Sequence, residues 1–205
     1  MSIPHWAPIE HWNDMIVAIK EGRVKEVVAL SEKCDPTAHN NRALFVAVHQ
    51  GNPLIVAVLL AVCPNPDWKL LLFDAAAQNH AQVVRLLLGR VEFSDDELRS
   101  VLCAAIHHEC TDSVWEICAS SSQQVLMWGL IWCADTHSFD HPLFTPLFSH
   151  VFSVGDALEV WNGQHFTPAR QHSIRQCVTD AHAYYTKQRL LPHVSGGHEN
   201  QPKRL

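Results

Sequence analysis

Three side chains with metal-competent donors recur at a spacing of four, namely Cys133, His137 and His141, and Asp140 stands beside the last of them. On an uninterrupted helix, residues four apart share a face, so one thiol and two imidazoles would converge as zinc-competent S and N donors. Pro142 works against this, because the residue before a proline is pushed away from helical backbone, and no spacing implies a fourth ligand. The trio is therefore read as packing and local hydrogen bonding. A metal-dependent or other enzyme built on residues 133–165 is kept as the alternative. Cys103, His107 and Cys110 form a second group at one-turn spacing. A cysteine nucleophile needs a neighbouring base and a lowered pKa, and the spacing supplies neither. The chain has no Gly-rich phosphate loop, no GxSxG elbow and no HExxH; His108-Glu109-Cys110 comes nearest and lacks the second histidine. The expectation is a protein that is not an enzyme and uses no cofactor.

The elements that must position these residues come from an internal repeat, for which a chain should be searched before any secondary structure is assigned. LFVAVHQGNPLIVAVLL starts at Leu44, and the matching LFDAAAQNHAQVVRLLL starts at Leu72. LCAAIHHECTDSVWEIC follows at Leu102, and MIVAIKEGRVKEVVALS lies upstream at Met15, so the four starts are almost evenly spaced. Each unit reads as two short antiparallel helices. In the Leu44 unit the first helix supplies Leu44, Ala47 and Val48, Gly51-Asn52 makes the turn, and Pro53 opens the second helix where its missing N–H costs nothing. The second helix presents Ile55, Val56, Val58, Leu59 and Leu60. Neither helix can bury that surface alone, so units must stack and share a core. Small residues recur at Ala18, Ala47, Ala75 and Ala105, where helices need to approach closely. The turn positions hold Gly22, Gly51, Asn79 and Glu109. Gly and Asn accept left-handed backbone and Glu does so reluctantly, so the fourth turn is expected to be distorted or longer.

Asn79-His80, Val83-Val84 and Leu86-Leu87-Leu88, following a Leu and a small pair, resemble the ankyrin repeat. The resemblance spans Met15 to about Ala119, roughly half of the chain. It departs from the family in a shorter period and in Arg42-Ala43-Leu44-Phe45 standing where Thr-Pro-Leu-His is usual. The missing residues fall between units, so the projecting β-turn fingers are expected to be trimmed to loops. The fold class is then all-α, a helical-hairpin solenoid of four to five ankyrin-like repeats with a C-terminal capping helix. Residues 1–14 form an N-terminal cap segment, 15–120 the four repeats, 121–193 a degenerate repeat and helical cap, and 194–205 a disordered tail. Within the third part, Ser121-Ser122 can cap a helix from Gln123 to about Asp135 that is apolar on nearly all sides, so Trp128 and Trp132 are expected in the core. Residues 137–151, with Pro142 and Pro146, read as an irregular connection. Thr167-Pro168 then starts a helix to about Leu190, whose apolar face is Ile174, Cys177, Val178, Ala181 and Tyr185.

Charge narrows the partner. The chain has 205 residues, 47% apolar and 18% charged, with 15 histidines against 15 Lys and Arg and a formal net charge of −6. An acidic chain without a basic block is a poor counterion-displacing surface, so nucleic acid is disfavoured. No apolar run reaches the roughly 18 to 20 residues that span a bilayer. The seven cysteines are odd in number and lack CxxC spacing, which points to reduced thiols and a cytoplasmic location. In the resembling family the two residues after each small pair line a concave groove. Here they are Lys20-Glu21, His49-Gln50, Ala77-Gln78 and His107-His108. The resemblance thus implies a non-catalytic protein-interaction module, an adaptor or inhibitor. Its partner is another protein, held through Lys20, Glu21, His49, Gln50, Gln78, His107 and His108. Short degenerate repeats are similar to those of bacterial or viral ankyrin proteins, which suggests an effector delivered to a host cell.

Overall fold

A computed structural model of the chain describes residues 10–151 and 167–190. Among the described residues there are eleven helices and no strand, so the protein is all-α. They are α1 (Glu10–Lys20), α2 (Val24–Ser31), α3 (Ala38–His49), α4 (Pro53–Leu60), α5 (Trp68–Ala77), α6 (Ala81–Leu88), α7 (Asp95–His107), α8 (Thr111–Ala119), α9 (Gln123–Thr136), α10 (Phe144–His150) and α11 (Pro168–Leu190). The tail at 194–205 and the first nine residues lie outside this description.

Local sequence sets where the helices begin. Pro53 occupies the first turn of α4, and the Asn52 side chain accepts from the backbone N–H of Leu54 and Ile55. Asp67 caps α5 and Ser122 caps α9 in the same manner. Ser94 and Glu97 close a reciprocal capping box at the start of α7, which satisfies two of the N–H groups that a helix leaves unpaired. In α3 the residues His39, Asn40 and Asn41 all have positive φ, so the right-handed helix proper runs from Arg42.

Helices of alternate number pack on one another. α1, α3, α5, α7 and α9 form one row, α2, α4, α6, α8 and α10 the other, and each odd helix also touches the even helix that follows it. The repeat register explains why. Met15, Leu44, Leu72 and Leu102 are fully buried, as are Ala18, Ala47, Ala75 and Ala105, and one contiguous apolar core runs from Met15 to Ala181. An Ala at each of the four positions lets adjacent helices of one row approach closely, and the Met or Leu one turn before it fills the gap. α11 closes the stack against α9 and α10, burying Ile174, Val178 and Ala181, with Cys177 and Tyr185 half-buried on the same face.

Four details differ from the sequence reading. Glu109 adopts φ 57°, beside 58° for Asn79, 70° for Gly22 and 71° for Gly51, so the fourth turn repeats the others without distortion. Residues 137–151 contain α10, whose Pro146 lies in the first turn, where a missing N–H is harmless. Trp68, which the repeat spacing places in a loop between units, opens α5 and packs partly buried against the core. Trp132 is 38% exposed and Trp128 half-buried under the Arg99 guanidinium, so α7, α10 and α11 do not fully enclose α9.

Candidate functional site

The four turns between paired helices share one backbone geometry. In each, the left-handed residue donates its N–H three residues back: Gly22 to Ile19, Gly51 to Val48, Asn79 to Ala76 and Glu109 to Ile106. The next residue donates five residues back at 2.8 to 2.9 Å in three of them, Arg23 to Ala18, His80 to Ala75 and Cys110 to Ala105. These paired bonds are the Schellman closure of a helix C-terminus.

Side chains then tie each turn to its neighbour. His80 Nε2 lies 2.9 Å from the His49 carbonyl, and the thiol of Cys110 donates to the Ala77 carbonyl at 3.4 Å. His49 and Ala77 are equivalent positions one repeat apart, so one rung is built twice with different donors. Asn79 Oδ1 accepts from the Ser113 backbone N–H at 3.0 Å, while its Nδ2 donates to Asp112. His49 Nδ1 sits 3.3 Å from Asp74 Oδ1 across α3 and α5.

The sequence-selected partner residues stand along this edge. Lys20, Glu21, His49, Gln50, Gln78, His107 and His108 are all exposed, at the C-terminal ends of α1, α3, α5 and α7, which pack in that order. The rings of His107 and His108 meet edge to face at 5.3 Å. Ala77 is half-buried.

At the end of the edge, titratable groups gather in a way that spacing alone does not indicate. α9 stops at Thr136 and His137 is extended, with φ −130° and ψ 162°, so Cys133, His137 and His141 do not share a helix face. Cys133 is fully buried inside the stack. His137 and His141 nevertheless come together, their rings stacked at 4.2 Å, and the Glu109 carboxylate takes the place expected of the thiol. One ligand atom each from Glu109, His137 and His141 lies within 4.8 Å of the other two. His137 Nε2 is buried without a hydrogen-bond partner, one of two such side-chain atoms among the described residues. The loop carrying both histidines is held from α11, where the Tyr185 hydroxyl lies 2.7 Å from the His141 carbonyl and 3.1 Å from that of Asp140. Burial, and then the neighbouring His137, push the His141 pKa down, against the opposing pull of Glu109 and Asp140.

The cysteines have the opposite of nucleophilic character. Burial raises the pKa of all seven thiols, Cys63 to about 11 and Cys118 to about 12, and that of Cys133 is pushed up as well. The reactive species is the thiolate, and burial lowers its fraction at neutral pH in all seven. Among the described residues no helix is long and apolar enough to cross a membrane. No protein-family model, curated protein or solved structure matches the chain.

Proposed function

We propose that the chain is an ankyrin-like solenoid whose function is to bind another protein along the turn edge, as a non-catalytic adaptor or inhibitor. The observation that carries this reading is the alignment of Lys20, Glu21, His49, Gln50, Gln78, His107 and His108. They stand exposed at equivalent ends of successive packed helices, behind four turns of matching left-handed backbone. A surface held this way is preorganised, so a partner does not have to order it on binding. Its composition suits the role: imidazole and carboxamide groups donate and accept hydrogen bonds with either sign of partner charge. The binding function itself rests in part on the fold analogy, so it is the site that must be tested.

The experiment compares capture by the wild-type chain with that by two folded variants. One carries alanine at His49, Gln50, Gln78, His107 and His108. The other carries alanine at the exposed outer-row residues Lys25 and Gln82. A protein retained by the wild type and the outer-row variant, and lost by the edge variant, supports the assignment. Equal retention by a folded edge variant removes it. An effector role would follow only from a partner that belongs to a different organism.

A further inference from the structure

We propose that Glu109, His137 and His141 form a binding site for a divalent first-row transition ion, of which zinc is the best fit. The inference is independent of the protein-binding edge. Two imidazoles and a carboxylate are a donor set suited to zinc and its neighbours, with a coordination position left open to water or to a partner's side chain.

Three observations converge on this site. The first is proximity, since donor atoms from three side chains, two of them half-buried, lie within 4.8 Å of each other although Glu109 stands before α8 and His137 after α9. The second is the buried and unpaired His137 Nε2. A buried polar nitrogen without a partner is destabilising, and a metal bond would remove that cost. The third is backbone strain. Equivalent turns place Gly, Gly and Asn at the left-handed position, and Glu109 alone puts there a residue without Asn's local tolerance of it, at φ 57°. Holding such a residue in this region is unfavourable, and strain of this kind marks places where a side chain is needed.

The repeat explains how the carboxylate reaches the histidines. Asn79, the turn residue of the third unit, extends its side chain to Asp112 and Ser113 in the fourth. Glu109 is the same position one unit on, and it extends to His137 and His141 in the segment after α9. The site is thus the last rung of the inter-turn ladder, with a longer and charged side chain. Ion binding has little to displace: one long hydrogen bond, from the Leu143 N–H to His141 Nδ1 at 3.4 Å, and the ring stack itself. Metal–nitrogen bonds of about 2.0–2.1 Å would draw the donors inward from this spacing. Tyr185 fixes the loop backbone meanwhile.

The test uses the full chain, stripped with chelator, kept reduced with a phosphine and titrated with zinc chloride by calorimetry. Wild type is expected to bind one equivalent that is lost, or weakened at least tenfold, in Glu109→Gln and His137→Ala. Glu109→Gly guards against a folding artefact. Relief of strain raises its metal-free Tm above that of wild type, while the zinc-induced rise in Tm disappears. Cobalt substitution reports the donors: bands of a nitrogen and oxygen site without sulfur-to-metal charge transfer are expected, unchanged in Cys133→Ala. Wild-type affinity in Glu109→Gln, or a charge-transfer band lost in Cys133→Ala, would overturn the proposal.

Discussion

The imidazole of His80 occupies the space that a side chain at Gly51 would need. A Cβ built on Gly51 falls 2.3 Å from His80 Nδ1, and the same ring bonds the His49 carbonyl through Nε2. Gly51→Ala therefore meets two penalties. Left-handed backbone at φ 71° costs about 1 to 2 kcal/mol for an alanine, and displacing the ring adds overpacking of about 1 to 3 kcal/mol. Gly22 has nearly the same φ, but its Cβ would meet only Asn52 Nδ2 at an ordinary 3.5 Å. Gly22→Ala is expected to lose about 1 kcal/mol and Gly51→Ala at least twice that. Urea unfolding of the two variants side by side measures the difference, and equal losses would show that the His80 rung is not rigid.

Gly129 sets the closest approach in the last part of the stack. A Cβ there would lie 2.7 Å from Leu102 Cδ2 and 2.8 Å from Leu147 Cδ2, so α9 is pressed between α7 and α10 at this residue. Alanine favours a helix over glycine by about 1 kcal/mol, and overpacking a dense core costs about 1 to 3 kcal/mol. The second effect is larger, so Gly129→Ala should lower Tm despite improving helix propensity. Leu147→Ala should partly rescue it by opening the space. A Tm above wild type in Gly129→Ala would mean that α10 is free to move aside.

Much of this architecture is legible in the sequence, and the reasons are physical. Leu44, Ala47 and Val48 recur as Leu72, Ala75 and Ala76 because each repeat buries the same face, and the Ser122, Pro53 and Pro168 starts are local signals. What escapes depends on separation. The pairing of Glu109 with His137 crosses α8 and α9, and helical spacing points instead to Cys133, which the stack buries. One signal is available: a Glu at a register otherwise held by Gly and Asn announces a residue kept for its side chain. α10 escapes because its two neighbouring prolines read as breakers, although Pro146 sits where a helix tolerates one. An all-round apolar helix places Trp132 in the core, yet α7, α10 and α11 together leave it 38% exposed.

Acid should weaken the bond between α6 and α8. Arg85 Nε and Nη2 donate to the two Glu116 carboxylate oxygens at 2.8 and 2.5 Å, a fork that joins adjacent repeats. This bonding holds the Glu116 pKa below its ordinary value, with partial burial opposing. A carboxylate with a depressed folded-state pKa contributes stability that is present above its unfolded value of about 4.5 and lost as pH falls through the folded value. Arg85 is 73% exposed, so screening keeps the effect small. Comparing Tm at neutral pH and below pH 4 for wild type and Arg85→Gln should show a smaller acid loss in the variant. An identical loss would assign the acid sensitivity to other carboxylates.

The seven cysteines are free thiols that differ in burial, and this gives a sharp order of reactivity. Cys118 and Cys133 lie at 2% and 0% exposure with raised thiol pKa values, whereas Cys103 and Cys177 are half-buried. Thiolate fraction and access both favour the second pair. Reaction of the native chain with an aromatic disulfide near pH 8 is expected to modify Cys103 and Cys177 first. Cys118 and Cys133 should follow only at the rate of opening of the stack, and all seven should react in denaturant. Because opening limits the slow class, that rate should fall in any variant or ligand state that stabilises α9. Zinc added before the reagent should therefore slow Cys133 in wild type and leave its rate unchanged in Glu109→Gln. Rapid modification of Cys133 in the native chain would mean that α9 is far less protected than its packing against α7, α10 and α11 requires.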